Sequence, residues 1–198
     1  VDHLTTAQLE AKLDHLRGSP PDLGIVELIV RRPAIGEREV LAEGHLDLTV
    51  GLVGDTWNQR GSKRTDDGSP HPDMQLNVMN ARYIALVARS PERWPLAGDQ
   101  LYVDLDLSVD NLPAGTRLAL GTAVIEVTDQ PHTGCAKFTQ RFGLDAFRFV
   151  QSEVGQALRL RGLNARVVVA GVVKRGDVIG KLDRIAAGPS AGQGGGEA

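Results

Sequence analysis

Arg117-Leu118-Ala119-Leu120-Gly121-Thr122-Ala123-Val124-Ile125-Glu126-Val127-Thr128 sets two short β-prone runs on either side of a Gly-Thr turn. Working outward, Leu101–Leu107 is a third run of this kind, set off by Pro113-Ala114-Gly115. Ile25-Val26-Glu27-Leu28-Ile29-Val30 is β-rich and is stopped by Pro33, and Val40–Val50 follows with polar residues interleaved. Val167–Val173 and Val178–Leu182 resume the pattern, with Lys174-Arg175-Gly176-Asp177 fitting a hairpin turn. Many short strands with few helices between them argue against a doubly wound parallel sheet. The expected fold is mainly β, a barrel or curled sheet with several peripheral α-helices.

The helical segments are few. Leu4–Arg17 places Leu9, Leu13 and Leu16 on one face, with Thr5 and Gln8 in capping-box positions, and Gly18-Ser19-Pro20-Pro21 ends it. Asn80 caps Ala81–Arg89, and Phe138, Phe142, Phe147 and Val150 mark a further helical stretch. Gly51–Pro72 is rich in glycine, proline and charge and poor in aliphatic residues, so it is expected to be a long surface excursion. The expected organisation is an N-terminal helical extension over 1–23, one domain over 24–187, and a disordered tail over 188–198.

The chain has 198 residues with a formal net charge of -3, and its basic residues are scattered among acidic ones. Nucleic acid is therefore an unexpected partner. The apolar runs are too short to span a bilayer, and the N-terminus lacks the order of a secretion signal, so the expected location is the cytoplasm, with no membrane partner. One cysteine rules out an intrachain disulfide framework and a cysteine-rich zinc site.

That cysteine lies in Gln130-Pro131-His132-Thr133-Gly134-Cys135-Ala136-Lys137-Phe138, where a strand ends and a helix begins. Pro131 stops the ladder, and Gly134 permits a backbone conformation closed to other residues. Cys135 then falls near a helix N-terminus, and His132, Lys137 and Arg141 would also favour its thiolate. A thiolate suits nucleophilic attack, persulfide carriage or soft-metal ligation; the bland alternative is a small buried hydrophobe. His132 is a base, a donor to an anionic ligand, or the cap of the turn. Asp55 faces a pocket or makes an Asx-type turn. Trp57, Arg60, Lys63, Arg64 and His71 in the excursion form a set able to stack on a flat ring and bind an anion, or else line a solvated loop. Asp66, Asp67, His71 and Asp73 match no strong metal-ligand spacing. Asn111 more readily bonds local backbone than substrate, whereas Arg161, Asn164 and Arg166 precede a strand within range of the same pocket.

Gly51-Leu52-Val53-Gly54-Asp55, Gly98-Asp99-Gln100-Leu101, Gly121–Thr128, the cysteine segment, Arg161-Gly162, Gly171 and Gly176-Asp177 occur in an order that resembles the MOSC domain. This module is found at the C-terminus of molybdenum-cofactor sulfurases and in stand-alone bacterial proteins. The resemblance covers Gly24 to Arg184. It implies a strand-rich, barrel-like fold in which the cysteine carries sulfur or ligates molybdenum, and relatives that reduce N-hydroxylated bases. Pyridoxal phosphate binding is also associated with the family. By that resemblance Cys135 is a catalytic candidate and the metal ligand; His132 is the second catalytic candidate, on its own chemistry and its place three residues before Cys135. Asp55, Trp57, Arg60, Arg64, His71, Lys137 and Arg141 are the cofactor-binding candidates, and molybdenum cofactor is the expected cofactor. A small-molecule substrate and an electron-donor or sulfur-donor protein are the expected partners. The alternatives are a persulfide sulfur carrier and a non-catalytic ligand-binding module. Two departures from the family pattern stand out. Pro-Arg-x-Pro-Cys is here Pro131-His132-Thr133-Gly134-Cys135, and Gly-Glu-Asn-Leu is here Gly98-Asp99-Gln100-Leu101.

Overall fold

The computed structural model describes residues 2–186, so the expected disordered tail over 188–198 lies outside the described residues. Its strands are β1 (Leu23–Arg31), β2 (Glu39–Leu41), β3 (Glu43–Asp47), β4 (Gly51–Leu52), β5 (Leu76–Asn80), β6 (Leu101–Asp104), β7 (Arg117–Leu120), β8 (Ala123–Val127), β9 (Leu163–Val169), β10 (Gly171–Lys174) and β11 (Val178–Lys181). Seven of them close into a barrel in the order β11-β7-β8-β9-β5-β6-β1, because β1 pairs with β11 as well as with β6. β2 extends β1 beyond the ring, and β10-β3-β4 form a separate small sheet. All pairings are antiparallel except β5 with β6.

Alternation places Ala123, Ile125 and Val127 of β8 inside, with Leu118 and Leu120 of β7 and Leu163, Ala165 and Val167 of β9. Each large aliphatic side chain so buried contributes about 1.5–3 kcal/mol. β1 is covered on both faces, which is why Leu28-Ile29-Val30 is an unbroken apolar run: Ile29 faces the barrel interior, while Leu28 and Val30 lie under the helices. That outer layer contains α1 (Thr6–Glu10), α2 (Leu13–Arg17), α3 (Ala81–Ala88), α4 (Ala136–Phe142), α5 (Leu144–Gln151) and α6 (Glu153–Ala157). Its core is built from Leu9, Leu16, Tyr83, Phe138, Phe142 and Phe149.

Three sequence expectations change. Leu4–Arg17 is two short helices, with the Thr5–Gln8 capping box opening the first and Lys12 starting the second. Val40–Val50 is divided between β2 and β3, with β4 following in what was expected to be loop. Lys174–Asp177 is a turn but not a hairpin: β10 pairs with β3 of the small sheet, and β11 leaves it to close the barrel against β7 and β1. The turn is held by Asp177, which accepts from the Lys174 amide at 2.7 Å.

Candidate active site

After β8 the chain enters the loop that carries Cys135, and the base of this loop is tied down by buried polar groups. Thr128 Oγ1 donates to the Asp73 carbonyl at 2.7 Å, and its amide donates to the Asn164 carbonyl. The Asn164 side chain, fully buried at the start of β9, donates to the Gln130 carbonyl at 3.1 Å and accepts from Asn77 Nδ2 at 2.6 Å. Arg64 of the excursion donates to Gln130 Oε1 at 3.2 Å, so loop and excursion meet. Gly134 is required for its size and not for an unusual φ: a Cβ there would lie 2.9 Å from the Phe147 ring. Cys135 is exposed and occupies the N-cap of α4 without a side-chain capping bond.

His132 turns inward from the same loop. Its Nε2 lies 2.7 Å from Asp99 Oδ1, and Arg161 Nη1 contacts both Asp99 oxygens at 2.9 and 2.8 Å. Arg161 also donates to the Ala97 carbonyl and lies 5.1 Å from the Phe138 ring centroid. Asp99 is completely buried, which alone would raise its pKa; the charges of Arg161 and His132 and their hydrogen bonds prevail and hold it at about 2. Burial, followed by the Arg161 charge, moves His132 below its ordinary value despite the Asp99 carboxylate.

Four arginines converge on consecutive carbonyls beside this triad. Arg38 donates to Pro95, Arg141 to Leu96, Arg161 to Ala97 and Arg32 to Gly98. Arg32 forms a buried two-point pair with Asp55, at 2.8 Å through Nε and 2.7 Å through Nη2, and Arg161 is paired with Asp99. Among the described residues Arg38 and Arg141 have no carboxylate partner, so this surface carries uncompensated positive charge. Partial burial, then the neighbouring Arg141 and Arg32, lower the pKa of Arg38; partial burial, then Arg32, lower that of Arg60.

The residues singled out from sequence divide accordingly. Cys135, His132 and Arg64 are on or against the loop, and Arg60 and Arg141 are at the arginine cluster. Lys137 is exposed on the first turn of α4. Asp55 does not face a pocket: its carboxylate is consumed by Arg32 and by the Trp57 amide at 2.8 Å, an Asx-type turn with a buried ion pair added. His71 is likewise spent locally, its Nδ1 accepting from the Asp73 amide. Trp57 is half-buried in a 3₁₀ turn over Trp57–Gln59. Arg161 and Asn164 do reach the site, whereas Arg166 lies outside it, paired with Glu126 and Asp73. Asn111 bonds backbone at Pro21 and Asp106.

Sequence reasoning missed Arg32, Arg38 and Asp99 as site residues. Arg32 follows the apolar run Leu28-Ile29-Val30 by two residues and precedes Pro33, a position at which a charged side chain must find a partner, and the sequence carries that signal. Arg38 sits in an irregular connection without periodicity, and nothing local marks it.

A family model described as MOSC domain matches residues 69–180, more than half of the chain. No curated protein matches it. Among solved structures, the YuaD protein from Bacillus subtilis is similar at 19% identity and a TM-score of 0.55, over 79% of this chain and 94% of YuaD. YiiM from Escherichia coli is similar at 23% identity and a TM-score of 0.52, over 81% of this chain and 70% of YiiM. At these identities the likeness speaks for the fold. The matched segment runs from the end of the excursion through strands β5 to β10 and most of β11, with the cysteine loop between β8 and β9, and on that match the chain belongs to the MOSC domain family.

Proposed function

We propose that this protein binds molybdenum cofactor through Cys135 and the arginine cluster, and reduces small N-hydroxylated substrates. The observation that carries the reading is the convergence of Arg38, Arg141, Arg161 and Arg32 on the Pro95–Gly98 carbonyls, with two carboxylates among the described residues, Asp55 and Asp99, paired to them. Such a surface suits an anionic group. It adjoins Asp99, which holds His132, three residues before Cys135 in the chain.

The donor set fits a metal that arrives with sulfur ligands of its own. Among the described residues no three His, Cys, Asp or Glu side chains cluster around a common point, and the protein offers one exposed thiol. When bound, the cofactor supplies a two-electron redox centre. Arg38, Arg60 and Arg141 would hold its anionic part, Cys135 would ligate the metal, and Arg64 would brace the loop through Gln130. Turning N–OH into N–H and water takes up an electron pair and protons. One cysteine gives this chain no ligand set for an iron–sulfur cluster, so the electrons are assigned to a donor protein. Pyridoxal phosphate fits less well, since it calls for a lysine and none lines the cleft beside His132.

Molybdenum per chain, measured after expression in a host that makes the cofactor, tests the reading. Near-stoichiometric metal is expected in the parent, with loss in Cys135→Ala and a marked decrease in Arg38→Ala. Metal retained by Cys135→Ala overturns cysteine ligation. The exposure of Cys135 also favours a second reading, sulfur carriage as a persulfide. An intact mass increased by one sulfur after treatment with a cysteine desulfurase, and absent in Cys135→Ala, would support it.

A further inference from the structure

A cleft of about 430 Å³ lies behind the cysteine loop, between residues 128–134 and the chain from Arg159 to Leu163. Val150 and Leu163 supply apolar wall, Asp129 lies at its edge, and His132 faces into it with 12% of its side chain exposed. The hydrogen bonding of that ring is determined. Asp99 is ionised, and a carboxylate only accepts, so the contact at 2.7 Å requires a proton on Nε2 of His132. Burial, Arg161 and, less strongly, Arg32 disfavour a second proton on the ring, while Asp99 pulls the other way. Nδ1 therefore carries the lone pair. Nδ1 makes no hydrogen bond among the described residues, yet the one buried side-chain polar atom left without a partner there is Arg161 Nε, so Nδ1 is accessible. Gly162 leaves room for the ring itself, since a Cβ there would come within 3.1 Å of His132 Cδ2, on the edge away from Nδ1.

We propose that this cleft binds a small molecule bearing an N–H or O–H group that donates to Nδ1 of His132, with Asp99 the positioning residue that holds the ring in the Nε2–H form. Where the family pattern has arginine, which only donates, this chain presents an acceptor, so the polarity of the position is reversed. The guanidinium of Arg161 does not restore it, being paired with Asp99 inside the wall. This inference goes beyond the cofactor reading, and the metal-free protein displays it.

The test is imidazole ¹⁵N chemical shifts of the full-length, metal-free protein, with the His132 signals among those of the five histidines identified by their loss in His132→Ala. A protonated Nε2 and a bare Nδ1 at neutral pH are expected; a protonated Nδ1, or a doubly protonated ring, overturns the proposal. Benzimidazole, which carries an N–H, is expected to shift the Nδ1 signal and to bind about tenfold more tightly than 1-methylbenzimidazole, the loss of one hydrogen bond. It should also lose binding to His132→Ala, which leaves the Asp99–Arg161 pair in place. Equal binding of the two probes, no binding of either, or unchanged binding to His132→Ala overturns it. Asp99→Asn tests positioning: an amide offers either a donor or an acceptor, so a mixture of ring forms is expected, and an unchanged Nε2–H form removes Asp99 from the account. Should that variant not fold, the parent ring form and the His132→Ala result still decide. Molybdenum content is measured separately, so failure here leaves the cofactor reading standing, and the converse holds.

Discussion

Asp99 shows how much one side chain can hold. Its carboxylate is fully buried, compensates Arg161 and orients His132, whereas Arg31 and Glu39 form an ion pair that is largely open to solvent. Removing one partner of a buried pair strands the other charge in a poorly solvated place. Asp99→Asn should therefore lower stability by about 3–5 kcal/mol, and Arg31→Ala by no more than about 1 kcal/mol. Urea titrations of the two variants check the contrast. Equal losses would show that Arg161 finds solvent once Asp99 is neutral. Asp99 stood within a quoted motif in the sequence, yet its burial and its partners, 33 and 62 residues away, were not legible there.

At the scale of elements, strands with one polar face were legible and those with polar residues among buried ones were not. β7 and β8 follow the alternation, with Arg117 and Glu126 paired across strands on the outer face. β5 escaped notice because Asn77 and Asn80 interrupt its apolar residues. The structure pairs Asn77 with Asn164 and Gln100, and Asn80 with Ser19 and the Leu105 carbonyl. The entry to β9 depends on Gly162, whose φ of +104° belongs to glycine and whose absent Cβ would lie 2.3 Å from the Val78 carbonyl oxygen. Gly162→Ala should cost at least about 1–3 kcal/mol from the backbone alone. It should also speed amide exchange in β9 and in the cysteine loop that Asn164 ties to it. Exchange accelerated equally throughout the chain would instead mark global unfolding.

For the whole molecule, the buried triad couples stability to pH. Asp99 is held at about 2, below its ordinary 3.8, and His132 is held below its ordinary 6.5. In both cases the unfolded chain takes up protons before the folded one does. The stabilisation is complete above the unfolded values and is lost as pH falls, first for His132 below 6.5 and then for Asp99 between 3.8 and about 2. The urea midpoint should fall between about pH 7 and about pH 5, and fall less in His132→Ala. A midpoint that rises on acidification would contradict the assignment. By itself the sequence determined the mainly β character, the capped helices, the surface excursion and the cysteine at a strand-to-helix junction, because periodicity, capping and turn chemistry act over a few neighbouring residues. Only the tertiary structure decided the closure of β11 on β1, the divergence of β10 and β11, the pairing of Asp55 with Arg32, and the meeting of four arginines on one run of carbonyls. Those outcomes join residues tens of positions apart, and the need of buried charges and backbone groups for partners is met only once the barrel has closed.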